Sequence, residues 1–141
     1  KMVYRSINYR LKRILLNKGG EGMYKLTETE SKFADLIWDN EPMGSGELVK
    51  LCEKHFGWKK STTYTMLKRL CAKGIFKNEA STVTAVLSKT QFQQKKSEQF
   101  VEETFGGSLP QFLATFMGGK KLNQKQVEEM KRLIDAYEEE K

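Results

Sequence analysis

KKSTTYTMLKRLCAKG, residues 59–74, is the stretch on which the fold turns. Thr63, Leu67, Leu70 and Cys71 recur at i, i+4, i+7 and i+8, a spacing that lines one side of an α-helix and predicts a buried stripe. Ser61, Tyr64, Thr65 and Lys68 fall on the other side, and Gly74 stops the helix. Every charged group here is a cation: Lys59, Lys60, Lys68, Arg69 and Lys73.

That charge is local. The 141-residue chain carries 25 Lys+Arg and 18 Asp+Glu, a net +7, but residues 54–78 hold seven cations and no carboxylate at all. Residues 1–22 hold six basic and one acidic group, 23–53 three and seven, and 79–141 nine and ten. A gap in acids of that length implies an anionic partner for the block between Glu53 and Glu79. The alternative is a cationic helix face that is merely solvated.

With 38% hydrophobic and 11% aromatic residues the composition is that of a folded chain, one ordinary domain or two small ones. Two cysteines, Cys52 and Cys71, and one histidine, His55, are too few and too scattered for a metal site, so no metal or other cofactor is expected. The two thiols fit a redox pair if their helices meet, and otherwise buried free cysteines. No apolar run approaches the ~20 residues of a membrane span, and a cytoplasmic protein is expected. Catalysis finds no nucleophile with a matched base, no phosphate-cradling Gly-rich loop after a strand and no isolated carboxylate pair, so an enzyme is not expected.

The first 22 residues end on a Gly-rich break. They fit a basic amphipathic helix, with Ile7, Leu11, Ile14 and Leu15 beside Arg5, Arg10, Lys12 and Arg13. They also fit translated leader, because Lys18-Gly19-Gly20-Glu21 back-translates to a purine run resembling a ribosome-binding site just ahead of the Met23 codon.

From Met23 onward helix signals are dense. Thr27-Glu28-Thr29-Glu30 is a capping box opening a helix that runs to about Asn40, with Phe33, Leu36 and Ile37 on one face. Leu48, Leu51 and Cys52 mark a second helix stopped near Gly57, and residues 59–74 supply a third. Residues 75–79 and 83–87 then read as two short strands joined by a turn at Ala80, Ser81 and Thr82. Three helices and a hairpin make the winged helix-turn-helix plan. Beyond it, Ser88, Ser108 and Asn123 each stand three residues before a glutamine, and each predicts a helix start. Three helices of about fifty residues cannot bury their many large apolar side chains against themselves alone. Phe100, Phe105, Phe112, Phe116, Val127, Met130, Ile134 and Tyr137 are therefore expected to form a dimer interface. The expected protein is mainly α with a small β-hairpin: a basic extension over 1–22, a winged-helix DNA-binding domain over 23–88 and a three-helix dimerisation domain over 89–141.

In a winged helix-turn-helix the third helix enters the DNA major groove. Lys59, Lys60, Lys68, Arg69 and Lys73 can neutralise phosphate there, while Ser61, Thr62, Tyr64 and Thr65 can reach base edges or thymine methyls. Arg69 adjoins the buried stripe and is expected to serve structure as well. Trp38 follows the apolar face of its helix and reads as core or interface, Trp58 as a staple at the start of helix three, and His55 as a helix-end residue. Two other classes stay open: a winged helix used as a protein-interaction adaptor, and a sensor binding a small ligand among the C-terminal Phe and Met side chains.

From Thr27 to its end the chain resembles the penicillinase repressor family, which includes the repressors of β-lactamase and methicillin-resistance genes and copper-responsive transport repressors. The resemblance is carried by Phe33-Ala34-Asp35-Leu36-Ile37-Trp38, by Ser61-Thr62-Thr63-Tyr64-Thr65-Met66-Leu67-Lys68-Arg69-Leu70 with Lys73-Gly74-Ile75, and by Phe105-Gly106-Gly107-Ser108. It implies a homodimer on a palindromic double-stranded DNA operator, with interlocked C-terminal helices and no membrane insertion. In the antibiotic-responsive members a membrane sensor protease leads to cleavage at an Asn-Phe bond; the matching pair here is Gln99 and Phe100, with the phenylalanine kept and the asparagine replaced. Copper-responsive members carry a C-terminal cysteine cluster, and this chain has no cysteine after Cys71. The turn from Glu79 to Val83 lacks the basic residue often found in the family's wing, which implies a weaker wing contact with phosphate.

Overall fold

A computed structural model of the chain describes residues 24–139. The basic extension over 1–22, whether amphipathic helix or leader, lies outside the described residues. Helix α1, Glu28–Asn40, opens on the expected capping box: the Glu30 N–H donates to Thr27 Oγ1 at 3.1 Å and the Thr27 N–H to Glu30 Oε1 at 2.9 Å. Strand β1 (Met43–Gly44) leads into α2, Ser45–Phe56, which ends at Gly57 with φ of 68°, a left-handed stop that glycine adopts freely. Helix α3, Lys60–Ala72, precedes strands β2 (Phe76–Glu79) and β3 (Thr82–Ala85).

Three helices and the sheet enclose one core. Phe33 and Ile37 of α1, Leu48 and Cys52 of α2, Met66, Leu67 and Leu70 of α3, and Ile75, Phe76 and Val83 from the sheet region are all buried. Each of the larger side chains contributes about 1.5–3 kcal/mol of transfer free energy, so α3 is fixed by its stripe. Trp38 packs against Phe76 and Phe92 with ring centroids 5.3 and 5.5 Å apart, and its indole N–H donates to the Leu87 carbonyl at 2.9 Å. Trp58 lies between Phe33 and Phe56, at 5.5 and 4.7 Å, bracing the approach to α3.

Two features differ from expectation. The sequence predicts two strands, but the segment after α1 holds a third, β1, and the sheet has three antiparallel strands in the order β1-β3-β2, with Met43 opposite Val83. Where β1 would continue backward, the Glu41 carboxylate accepts the Ala85 N–H at 3.2 Å instead. The hairpin is also tighter than expected: Glu79 pairs with Thr82, leaving a two-residue loop of Ala80 and Ser81 at φ of 49° and 60°. Both values are positive, as the turn matching the right-handed strand twist requires, and neither residue adopts them cheaply. Replacing Ala80 and Ser81 with Asn and Gly should raise the unfolding free energy by about 0.5–1 kcal/mol in urea titrations. Unchanged or lower stability would show that the turn is not strained.

After β3 come α4 (Lys89–Phe105), α5 (Leu109–Gly119) and α6 (Gln124–Glu139). All three expected start signals are used. Ser88 and Asn123 exchange reciprocal bonds with Gln91 and Gln126, and Ser108 accepts from the Gln111 N–H at 3.1 Å. The chain divides into two compact units, one running through Gln99 and the other Phe100–Lys141, so α4 contributes to both. In the second unit Phe100, Phe105, Phe112 and Phe116 form a chain of ring contacts between 5.4 and 6.1 Å. No described residue from Phe100 onward is fully buried.

Candidate nucleic-acid interface

The buried stripe of α3 decides what it shows to solvent. Thr63 is fully buried with Met66, Leu67 and Leu70, which leaves Lys60, Ser61, Thr62, Thr65, Lys68 and Arg69 on the exposed side, with Lys59 exposed just before the helix. This surface is cationic and hydroxyl-rich and carries no carboxylate. No side chain caps the helix, since the Lys59 ammonium at the cap position has no acceptor to offer the first-turn N–H groups. The first-turn N–H groups are thus open at the positive end of the helix dipole, an arrangement suited to a phosphate oxygen.

The hydroxyl side chains are not equivalent. Thr65 Oγ1 donates back to the Ser61 carbonyl at 2.9 Å, so its methyl and remaining lone pairs face outward. Tyr64 is half-buried and its hydroxyl donates to Ser45 Oγ at 3.2 Å, tying α3 to the start of α2, while Lys60 Nζ lies 6.0 Å above its ring. Ser61 and Thr62 are exposed.

The cations divide in the same way. Lys73, expected from the sequence to reach phosphate, is turned inward: its side chain is 9% exposed, and Nζ donates to the Lys25 carbonyl at 3.0 Å and lies 3.7 Å from Glu30 Oε1. Arg69 stays half exposed at 51%, with Nη1 3.6 Å from Glu30 Oε2. Glu30 itself is 1% exposed, a carboxylate inside the winged-helix unit facing Arg69 of α3 and Lys73 at the end of that helix. Nothing in the sequence distinguishes it from an ordinary capping glutamate. Its buried pairing needs α1 and α3 to cross.

Burial pushes the Glu30 carboxyl up, but the Thr27 N–H, Lys73 and Arg69 outweigh it and hold it below the ordinary carboxylate value. A group depressed in the folded state stabilises fully above its unfolded value and loses that contribution as pH falls through the folded one. Glu30→Gln should therefore be about 1–2 kcal/mol less stable than the parent at pH 6, the deficit shrinking toward pH 3. A deficit independent of pH would assign the loss to shape alone.

Cys52 and Cys71 are free, and burial pushes both thiols up, which leaves little thiolate for redox chemistry. Cys71, expected on the buried stripe, is only half-buried. His55 is exposed in the last turn of α2. Among the described residues no three His, Cys, Asp or Glu side chains gather as a metal site would need, and no helix is long and apolar enough to cross a membrane.

In the second unit, Phe100, Phe116, Ile134 and Tyr137 are exposed, and Phe105, Phe112, Val127 and Met130 are partly covered. The bond between Gln99 and Phe100 lies within α4, with the Gln99 side chain accepting the Tyr24 N–H at 3.2 Å. A protease would reach that bond only through local unwinding of the helix.

The penicillinase repressor family model matches residues 26–136. A penicillinase repressor of Staphylococcus aureus is 21% identical over 115 residues, covering 79% of this chain and 91% of that protein. A 16.5 kDa protein of Latilactobacillus sakei, encoded in the ptsI 3′ region and uncharacterised, is 23% identical over 120 residues, covering 82% of each. A family match over nearly the whole described chain, on a helix-turn-helix with an exposed cationic third helix, has one meaning: the chain belongs to the penicillinase repressor family of DNA-binding transcriptional regulators.

Proposed function

We propose that the protein is a cytoplasmic homodimer that represses transcription by occupying a palindromic operator. The observation that carries this is α3, held rigidly by its buried stripe while an uncapped first turn and the exposed Lys59, Lys60, Ser61, Thr62, Thr65, Lys68 and Arg69 face outward. The lysines and the open N–H groups neutralise phosphate, and Ser61, Thr62 and Thr65 read base edges. Tyr64 contributes its ring edge, its hydroxyl being held by Ser45. Twofold pairing through Phe100, Phe105, Phe112, Phe116, Val127, Met130, Ile134 and Tyr137 sets two copies of α3 in successive major grooves. Support for that pairing comes from the second unit, where Leu133, Tyr137, Ile134 and Leu109 are 53–71% exposed in the single chain.

The likeness to a Staphylococcus aureus penicillinase repressor supports control of antibiotic-resistance-type genes; release when a sensor protease leads to cutting between Gln99 and Phe100 is what the resemblance of this pair to the family's Asn-Phe bond implies. Titration against DNA upstream of the protein's own gene and against scrambled DNA, at several salt concentrations, tests the assignment. A preference of about a thousandfold with a steep salt slope is expected. Equal, weak binding to both would favour an adaptor whose partner is another protein.

A further inference from the structure

An acidic side chain 3.6 Å from a cation that seeks phosphate is an unexpected neighbour for a DNA-reading helix. An exposed glutamate there would repel the backbone it faces. Glu30 is instead fully buried, and its charge is balanced from inside by Lys73, whose Nζ is held by the Lys25 carbonyl and lies 3.7 Å from Oε1. Three charges, one negative and two positive, leave a net positive group whose outward part is the half-exposed Arg69 guanidinium. Oε1 is committed to the Thr27 N–H, while Oε2 accepts no hydrogen bond and has Arg69 Nη1 beside it. A guanidinium is a planar fork, so an anion on one edge fixes the direction of the others.

We infer that Glu30 is the positioning residue that aims the Arg69 guanidinium, and that it thereby sustains preference for the operator rather than affinity for DNA in general. This rests on α3 being the helix that enters DNA. An aimed Arg69 meets phosphate in the one register in which Ser61, Thr62 and Thr65 also reach their base edges; a free one meets phosphate in any register. The rotamer freedom lost on binding is then already lost in the free protein.

Glu30→Gln tests this, because glutamine at that position keeps the capping bond and removes only the charge. Operator affinity should fall about threefold to tenfold while affinity for random DNA stays level or rises, so that the ratio of the two falls. In an Arg69→Ala background the same substitution should leave the ratio where Arg69→Ala alone puts it. An equal change on both DNAs, or the same fall in the ratio in both backgrounds, would overturn the inference. A measurement on the unmodified protein is independent of how the variant folds: nitrogen relaxation of the arginine Nε groups should show Arg69 ordered before DNA is added. Motion as free as that of exposed Arg132 would overturn it as well. If the parent protein shows no operator preference, the repressor assignment itself fails; if it shows one that Glu30→Gln leaves unchanged, only the role of Glu30 does.

Discussion

Replacing Lys59, Lys60 and Lys68 together with alanine should weaken DNA binding at least about a hundredfold near 0.15 M salt and flatten the dependence of log affinity on log salt by about five. Each lysine that neutralises a phosphate releases about one counterion and the dimer carries each lysine twice, so six lost contacts remove about 5.4 from the slope. All three are exposed, Lys59 and Lys60 at the open first turn of α3 and Lys68 in its third turn, and none is in an ion pair among the described residues. Stability should change by little, since surface lysines outside ion pairs contribute within about 0.5 kcal/mol. Random DNA and operator should lose affinity by similar factors, because phosphate contacts carry no sequence information. An unchanged salt slope would place the DNA surface elsewhere.

Ile134→Glu should convert the protein to monomers at concentrations where the parent is dimeric. Ile134 is 56% exposed in the single chain, so the charge is tolerated before assembly. Across a twofold interface every substitution occurs twice, and each buried, unpaired carboxylate costs several kcal/mol. The dimer dissociation constant should rise by about three orders of magnitude or more, read by sedimentation equilibrium. The winged-helix unit should keep its circular dichroism and bind single half-sites weakly. A dimer that survives the substitution would remove α6 from the interface.

Much of the winged helix is written locally. The i, i+4, i+7 spacing of Thr63, Leu67 and Leu70 alone determines which side of α3 is buried, and each cap from Thr27 to Asn123 acts within four residues. What stayed hidden depends on long-range partners. Strand β1 is two residues long, too short for any periodicity, and exists because Val83 lies across from Met43. The left-handed Ala80 and Ser81 lack the Asn-Gly signature by which a two-residue turn is recognised. Lys68 on α3 and Lys73 just past its end are both cations of one short stretch, yet Lys73 is turned toward Glu30 and Lys68 toward solvent. Only the crossing of α1 and α3 separates them.

Footprinting of the complex, with the number of chains per DNA counted by sedimentation, tests the central claim most directly. Two protected major-groove segments related by a twofold axis, spaced by about one helical turn or a small multiple and occupied by two chains, are the predicted result. A single protected patch with one chain bound, or no protection at concentrations that saturate binding, would contradict it.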